Sequence, residues 1–180
     1  MATLRRIQKE ITDIKNNPIE GLNVEPQEDN LFEWKCTIKG ASDSPYKGGS
    51  FNFNLSLPVN FPFKAPTVRH SYRVLMAIEL TMKPGHLLSP HKFLLIAQVT
   101  FTTKIYHPGI NEEGAICVPV LRDEWKPTVT LSSVLLTIKE KVNNPSTDDP
   151  FEPDIAAVLK NDKSKFNQTA RDWIKKYASS

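Results

Sequence analysis

Apolar residues open the chain at helical spacing. Leu4, Ile7, Ile11 and Ile14 fall on one face, with Arg5, Arg6 and Lys9 on the expected wet side and Thr3 placed to cap the helix. The period then changes to two. Phe32, Trp34, Cys36 and Ile38 alternate with Glu33, Lys35, Thr37 and Lys39, and after the turn "SDSPYKGG" Phe51, Phe53, Leu55 and Leu57 alternate with Asn52, Asn54 and Ser56. This predicts two strands of an antiparallel meander with one buried face. Three prolines make "LPVNFPFKAP" an expected extended loop, and "VTFTTKIYH" is a further strand candidate.

From Cys117 to Thr128 no periodicity persists. Thr130 is then placed to cap a helix through "LSSVLLTIKEKV", buried along Leu131, Val134, Leu135, Ile138 and Val142. Two more helices are expected in "DIAAVLKND" and "KSKFNQTARDWIKKY", the second with Phe166, Ala170, Trp173, Ile174 and Tyr177 as its apolar stripe. Helix, strands, long loop, helices in that order predict an α+β fold with segregated elements.

Composition agrees with one domain. A chain of 180 residues that is 39% hydrophobic, with nine Phe and three Trp, can bury a full core. Two cysteines and no apolar leader argue against a secreted disulfide scaffold, and no apolar run reaches the roughly 18 residues of a membrane helix. The expected setting is cytoplasmic, nuclear or both, with no membrane partner.

The net charge of +3 would suggest a nucleic-acid partner were it spread over a surface, but it belongs to one segment. Residues 68–98 hold Arg69, Arg73, Lys83 and Lys92 against Glu79 alone, so the remaining 149 residues sum to zero. No nucleic-acid partner is expected. The same segment holds three of the four histidines, His70, His86 and His91, whose spacings of 16 and 5 suit no standard ligand pattern.

The two cysteines differ in setting. Cys36 lies on the apolar face of a predicted strand and reads as a small buried hydrophobe. Cys117 stands in the turn-rich stretch "YHPGINEEGAICVPVL", where a thiol is either inert or a nucleophile. No second Cys or His stands near it at a ligand spacing, so zinc is not expected.

"PYKGGSFNFNLSLPVNFPFKAP", "YHPGINEEGAICVPVLRDEWKP" and "NNPSTDDPFEPDIA", in that order, resemble the successive signatures of ubiquitin-conjugating enzymes. The resemblance covers about 149 residues, everything but 68–98, and implies one core domain over 1–180 with an atypical insertion. It also implies the family's fold: an N-terminal helix, a four-stranded antiparallel meander, an active-site loop and C-terminal helices. The activity it implies is transfer of ubiquitin from the activating enzyme to Cys117 as a thioester, then to a ligase cysteine or a substrate lysine. No cofactor is implied, and the protein is expected to act as a monomer.

Site residues follow from the same resemblance. The family's HPN tripeptide reads His107, Pro108, Gly109 here, with His107 and Pro108 shaping the turn. Gly109 replaces the Asn whose amide supports the loop or stabilises the oxyanion during attack by lysine. Asp149 matches an acidic gate that orients an incoming amine, or is a turn residue before a helix. Pro119 matches relatives dedicated to HECT and RBR ligases; RING ligases are a further partner class. Arg5, Arg6, Lys9, Phe63, Lys126 and Pro127 match the surface that engages activating enzyme and ligases. A non-catalytic adaptor of the same fold, an inactive mis-spliced product and a different ubiquitin-like modifier are the alternatives.

Residues 68–98 read best as a translated intron. Their removal joins "FPFKAPT" to "VTFTTKIYHPG" without a gap, and Val stands at both junctions. Val68 has a codon beginning GT, Gln98 can be encoded by CAG at an acceptor site, and 31 codons keep the frame. A genuine lineage-specific loop is the alternative. Its apolar runs "VLMAIEL" and "FLLIAQ" would then have to pack on the domain or lie exposed.

Overall fold

A computed structural model describes residues 2–65, 99–116, 118–121, 124–148 and 150–179, with Pro119 described by its backbone alone. Residues 68–98 therefore lie outside it. Helix α1 spans Ala2–Asn16, so Thr3 lies inside the helix and does not cap it. Ile7 and Ile14 are buried, whereas Leu4 remains 43% exposed. Four strands follow, β1 (Leu22–Pro26), β2 (Glu33–Lys39), β3 (Ser50–Ser56) and β4 (Thr100–Phe101), antiparallel in the order β1-β2-β3-β4.

The register explains the alternation. Trp34 faces Leu55, Cys36 faces Phe53 and Ile38 faces Phe51, so all six buried side chains share one face of the sheet. Strand β1 carries only Leu22 and Val24 as apolar residues before Pro26, which suits an edge. That short pattern is too weak to mark a strand by periodicity alone.

Strand β4 is shorter than the run "VTFTTKIYH" suggests. Beyond Phe101 the N–H groups of Thr102 and Thr103 both turn to Asn52 O, at 2.8 and 3.3 Å, which curls the chain out of the ladder. The stretch after β3 is likewise a set of turns, not an extended loop. Phe61 N–H bonds Pro58 O and Phe63 N–H bonds Asn60 O, both at 2.9 Å.

Helix α2 (Leu131–Asn143) lies at the centre of the core, burying Leu131, Val134, Leu135, Ile138 and Val142. Each such side chain contributes about 1.5–3 kcal/mol relative to exposure. Thr130 caps the helix as expected, its hydroxyl accepting from Ser133 N–H at 3.2 Å. Helix α3 (Pro153–Asn161) and helix α4 (Lys163–Trp173) follow, and a wider turn over Ile174–Ala178 ends the described chain. Phe166, Ala170 and Ile174 are buried, while Tyr177 is 37% exposed. Among the described residues no helix is long and apolar enough to cross a membrane.

Candidate active site and partner surface

His107 is buried and doubly held. Its Nδ1 accepts from Gly109 N–H at 2.9 Å, which leaves Nε2–H to donate to Lys141 O at 3.1 Å. Both partners favour one neutral tautomer. Burial pushes the imidazole down from 6.5 to about 4, outweighing the bond to the Lys141 carbonyl, which pulls the other way. The ring stacks on Tyr46 at 5.7 Å, and the Tyr46 hydroxyl donates to Tyr106 O at 2.8 Å. His107 is thus a scaffold for the turn His107–Ile110, closed by Ile110 N–H on His107 O.

Three segments meet at that turn. Ile110 forms a bridge with Ile116, the residue before Cys117. Pro108 O accepts from Glu152 N–H at 2.9 Å, which ties the approach to α3, three residues beyond Asp149, to the same turn. Gly114 permits the tight Asn111–Ala115 loop beneath β4: its φ is +80°, and a Cβ there would meet Phe101 O at 2.1 Å. Asn111 closes that loop by accepting Ala115 N–H on Oδ1 at 2.7 Å. Cys117, Asp149 and the side chain of Pro119 lie outside the described residues.

Gly109 has its N–H committed to His107 and no side chain to offer. Its φ is outside the left-handed region, and a Cβ would meet His107 Cε1 at 3.3 Å, close enough to require a small adjustment. Cys36 is the opposite of a reactive thiol. It is 2% exposed, and burial, helped by the nearby Glu25 carboxylate, pushes it up to about 12.

The segments that carry the six candidate partner residues are joined through Trp125 and Glu10. Trp125 Nε1–H donates to Pro62 O at 2.8 Å and its ring packs on buried Phe61, so the turn bearing Phe63 is joined to the one bearing Lys126 and Pro127. Phe63 is 76% exposed beside Val59 at 83%. Lys126, Pro127, Arg5 and Lys9 are also exposed. Arg6 departs from the expected wet side. It is half-buried, bonds Glu10 Oε1 at 2.7 Å and donates to Val129 O at 3.1 Å. Buried Glu10 in turn accepts Leu131 N–H at 2.8 Å, a carboxylate at the start of α2.

Tyr46 and Glu10 are the residues that sequence reasoning missed. Glu10 had a readable signal, four residues after Arg6 on one helix. Tyr46 had none, because its partners are 60 residues away.

The family model described as ubiquitin-conjugating enzyme matches residues 6–76 and 96–174, most of the chain. The chain belongs to the ubiquitin-conjugating enzyme family. As a family, ubiquitin-conjugating enzymes are transferases that work with ubiquitin, an activating enzyme and ligases. The four-stranded antiparallel sheet, the N-terminal helix and the C-terminal helices are the fold expected of such an enzyme.

Proposed function

We propose that this conjugating enzyme carries ubiquitin on Cys117 and passes it to the active cysteine of HECT or RBR ligases in preference to lysine. In the charging step the Cys117 thiolate attacks the carbonyl of the thioester joining ubiquitin's C-terminal glycine to the activating enzyme. A new C–S bond forms as the old one breaks, and the activating enzyme's cysteine leaves as a thiolate. The exchange is nearly balanced in free energy.

Gly109 carries the finer reading. Attack by an amine needs help with the oxyanion, and loss of one donor costs about 10²–10³ in rate. With the Gly109 N–H bonded to His107, the backbone does not replace the missing amide. A thiolate is a better nucleophile and needs less help. Asp149 pulls the other way if it orients lysine. Arg5, Lys9, Phe63, Lys126 and Pro127 would form the docking face, with Arg6 holding its shape. The same reading has one domain interrupted at 68–98, acting as a monomer in the cytoplasm, the nucleus or both. The family match breaks off at 77–95, inside that interruption, which supports a break there while taking in 68–76 and 96–98.

Activating enzyme, ATP and ubiquitin, with and without reductant, test the first step. A reductant-sensitive adduct is expected, absent in Cys117→Ser and retained in Cys36→Ser. The reverse pattern would overturn the assignment, and no adduct at all would favour an adaptor or a mis-spliced product. Single-turnover discharge tests the second: lysine released as fast as cysteine would defeat the preference.

A further inference from the structure

A cavity of about 720 Å³ opens between the loop after β2, the end of α2 and helix α4. Lys47, Lys163 and Arg171 line it, against Asp43 as its single carboxylate. None of these four forms a salt bridge with a described residue. Three cations thus line one cleft against one carboxylate among the described residues, at a size suited to a small molecule.

Helix α4 makes the arrangement more costly. Lys163, Asn167 and Arg171 recur every four residues, which puts them on one face of the helix. The first turn of α4 has no acidic residue and begins with Lys163, the wrong sign for the positive end of a helix. Asp162 offsets this in part by capping Lys165 N–H at 2.8 Å.

Asn167 stands between the two helix cations. Its Oδ1 is buried with no partner, the one such side-chain atom among the described residues. A buried orphan acceptor costs about 1–3 kcal/mol. Asn167 also lines the cleft, and its amide carries two donors that an anion could use. The like charges of Lys47, Lys163 and Arg171 repel one another across the cleft, and an anionic ligand would relieve that repulsion.

We infer that this cleft binds a small multiply charged phosphate compound, held by Lys47, Lys163 and Arg171 with Asn167 donating from its amide. The cleft lies behind the ring of His107. Lys47 adjoins Tyr46, which stacks on His107, and Asn143 on the cleft wall lies two residues after Lys141, whose carbonyl holds the same ring. Occupancy would therefore brace the backing of the His107–Ile110 turn.

Titration calorimetry of the full chain with sodium tripolyphosphate at physiological salt tests this. Saturable one-site binding is expected. Lys163→Glu with Arg171→Glu should weaken it by about tenfold or more, since each removes a charge-assisted contact. Lys175→Glu with Lys176→Glu makes the same charge change outside the cleft and should leave binding intact. Asn167→Leu should weaken binding while the ligand-free protein melts no lower, because it removes the orphan oxygen. Equal weakening by both charge reversals would reduce the effect to general attraction of a polyanion to a basic helix. Absence of saturable binding, or tighter binding of citrate, would also overturn the assignment.

Discussion

His107 stays neutral through the physiological range because charging it would leave an imidazolium buried between Tyr46 and two backbone partners. Its folded value of about 4 lies below the ordinary 6.5, so the unfolded chain binds the proton first as pH falls. Stability is therefore complete above about pH 6.5 and is lost on the way down to pH 4, at about 1.4 kcal/mol per pH unit. Urea unfolding of wild type should lose about 2 kcal/mol from this group between pH 7 and pH 5. His107→Gln should be less stable at pH 7 and should lack that part of the slope; identical slopes would show that another group controls acid sensitivity. Two residues away, Gly109→Asn restores a side-chain amide at a backbone conformation that accepts one. Lysine discharge should rise by up to about 10²-fold, with charging and cysteine discharge unchanged. Unaltered lysine discharge would mean that the amide's absence does not limit the reaction.

The join between α1 and α2 depends on a buried carboxylate. Glu10 satisfies Leu131 N–H while Arg6 neutralises it and holds Val129 O, so the chain entering α2 is fixed to α1 on either side of Thr130. Glu10→Ala should cost about 2–3 kcal/mol, because it strips the cap and leaves Arg6 half-buried without its partner. Thermal or urea unfolding of Glu10→Ala, Arg6→Ala and the double variant measures the coupling. The double variant should cost clearly less than the two singles added, and simple additivity would show that the pair is not a unit. The same elements show what a sequence can disclose. Strands β2 and β3 and helix α2 were legible because each buries one regular face, and Thr130 was legible because capping is local. The end of β4, the placement of Arg6 and the role of Tyr46 were not, since each is decided by a partner far away in the chain: Asn52, Val129 and Tyr106 respectively. The family was readable through the order of its motifs around Cys117; of the bonds that immobilise His107, the one from Gly109 is local, whereas the one to Lys141 O spans 34 residues.

At the scale of the whole molecule, the sheet, the core and the turn that carries His107 are all built from described residues on either side of 66–98. Val99 is fully buried and accepts Ile116 N–H, so the chain rejoins the core at the residue where the proposed insertion ends. The closure entropy of a 31-residue loop grows only logarithmically with its length and would cost little. Its apolar content is the larger liability, because "VLMAIEL" and "FLLIAQ" add apolar runs to a chain that already exposes Val59 and Phe63. Deleting residues 68–98 joins Thr67 to Val99 and yields a 149-residue chain with zero formal net charge. That form should melt at least as high as the full chain, aggregate less on heating and accept ubiquitin at least as fast. Sequencing of transcripts should recover the shorter message beside the longer one if the segment is a retained intron. A deletion form that melts lower and fails to charge would instead make 68–98 an integral part of this enzyme, with its apolar runs packed against the domain.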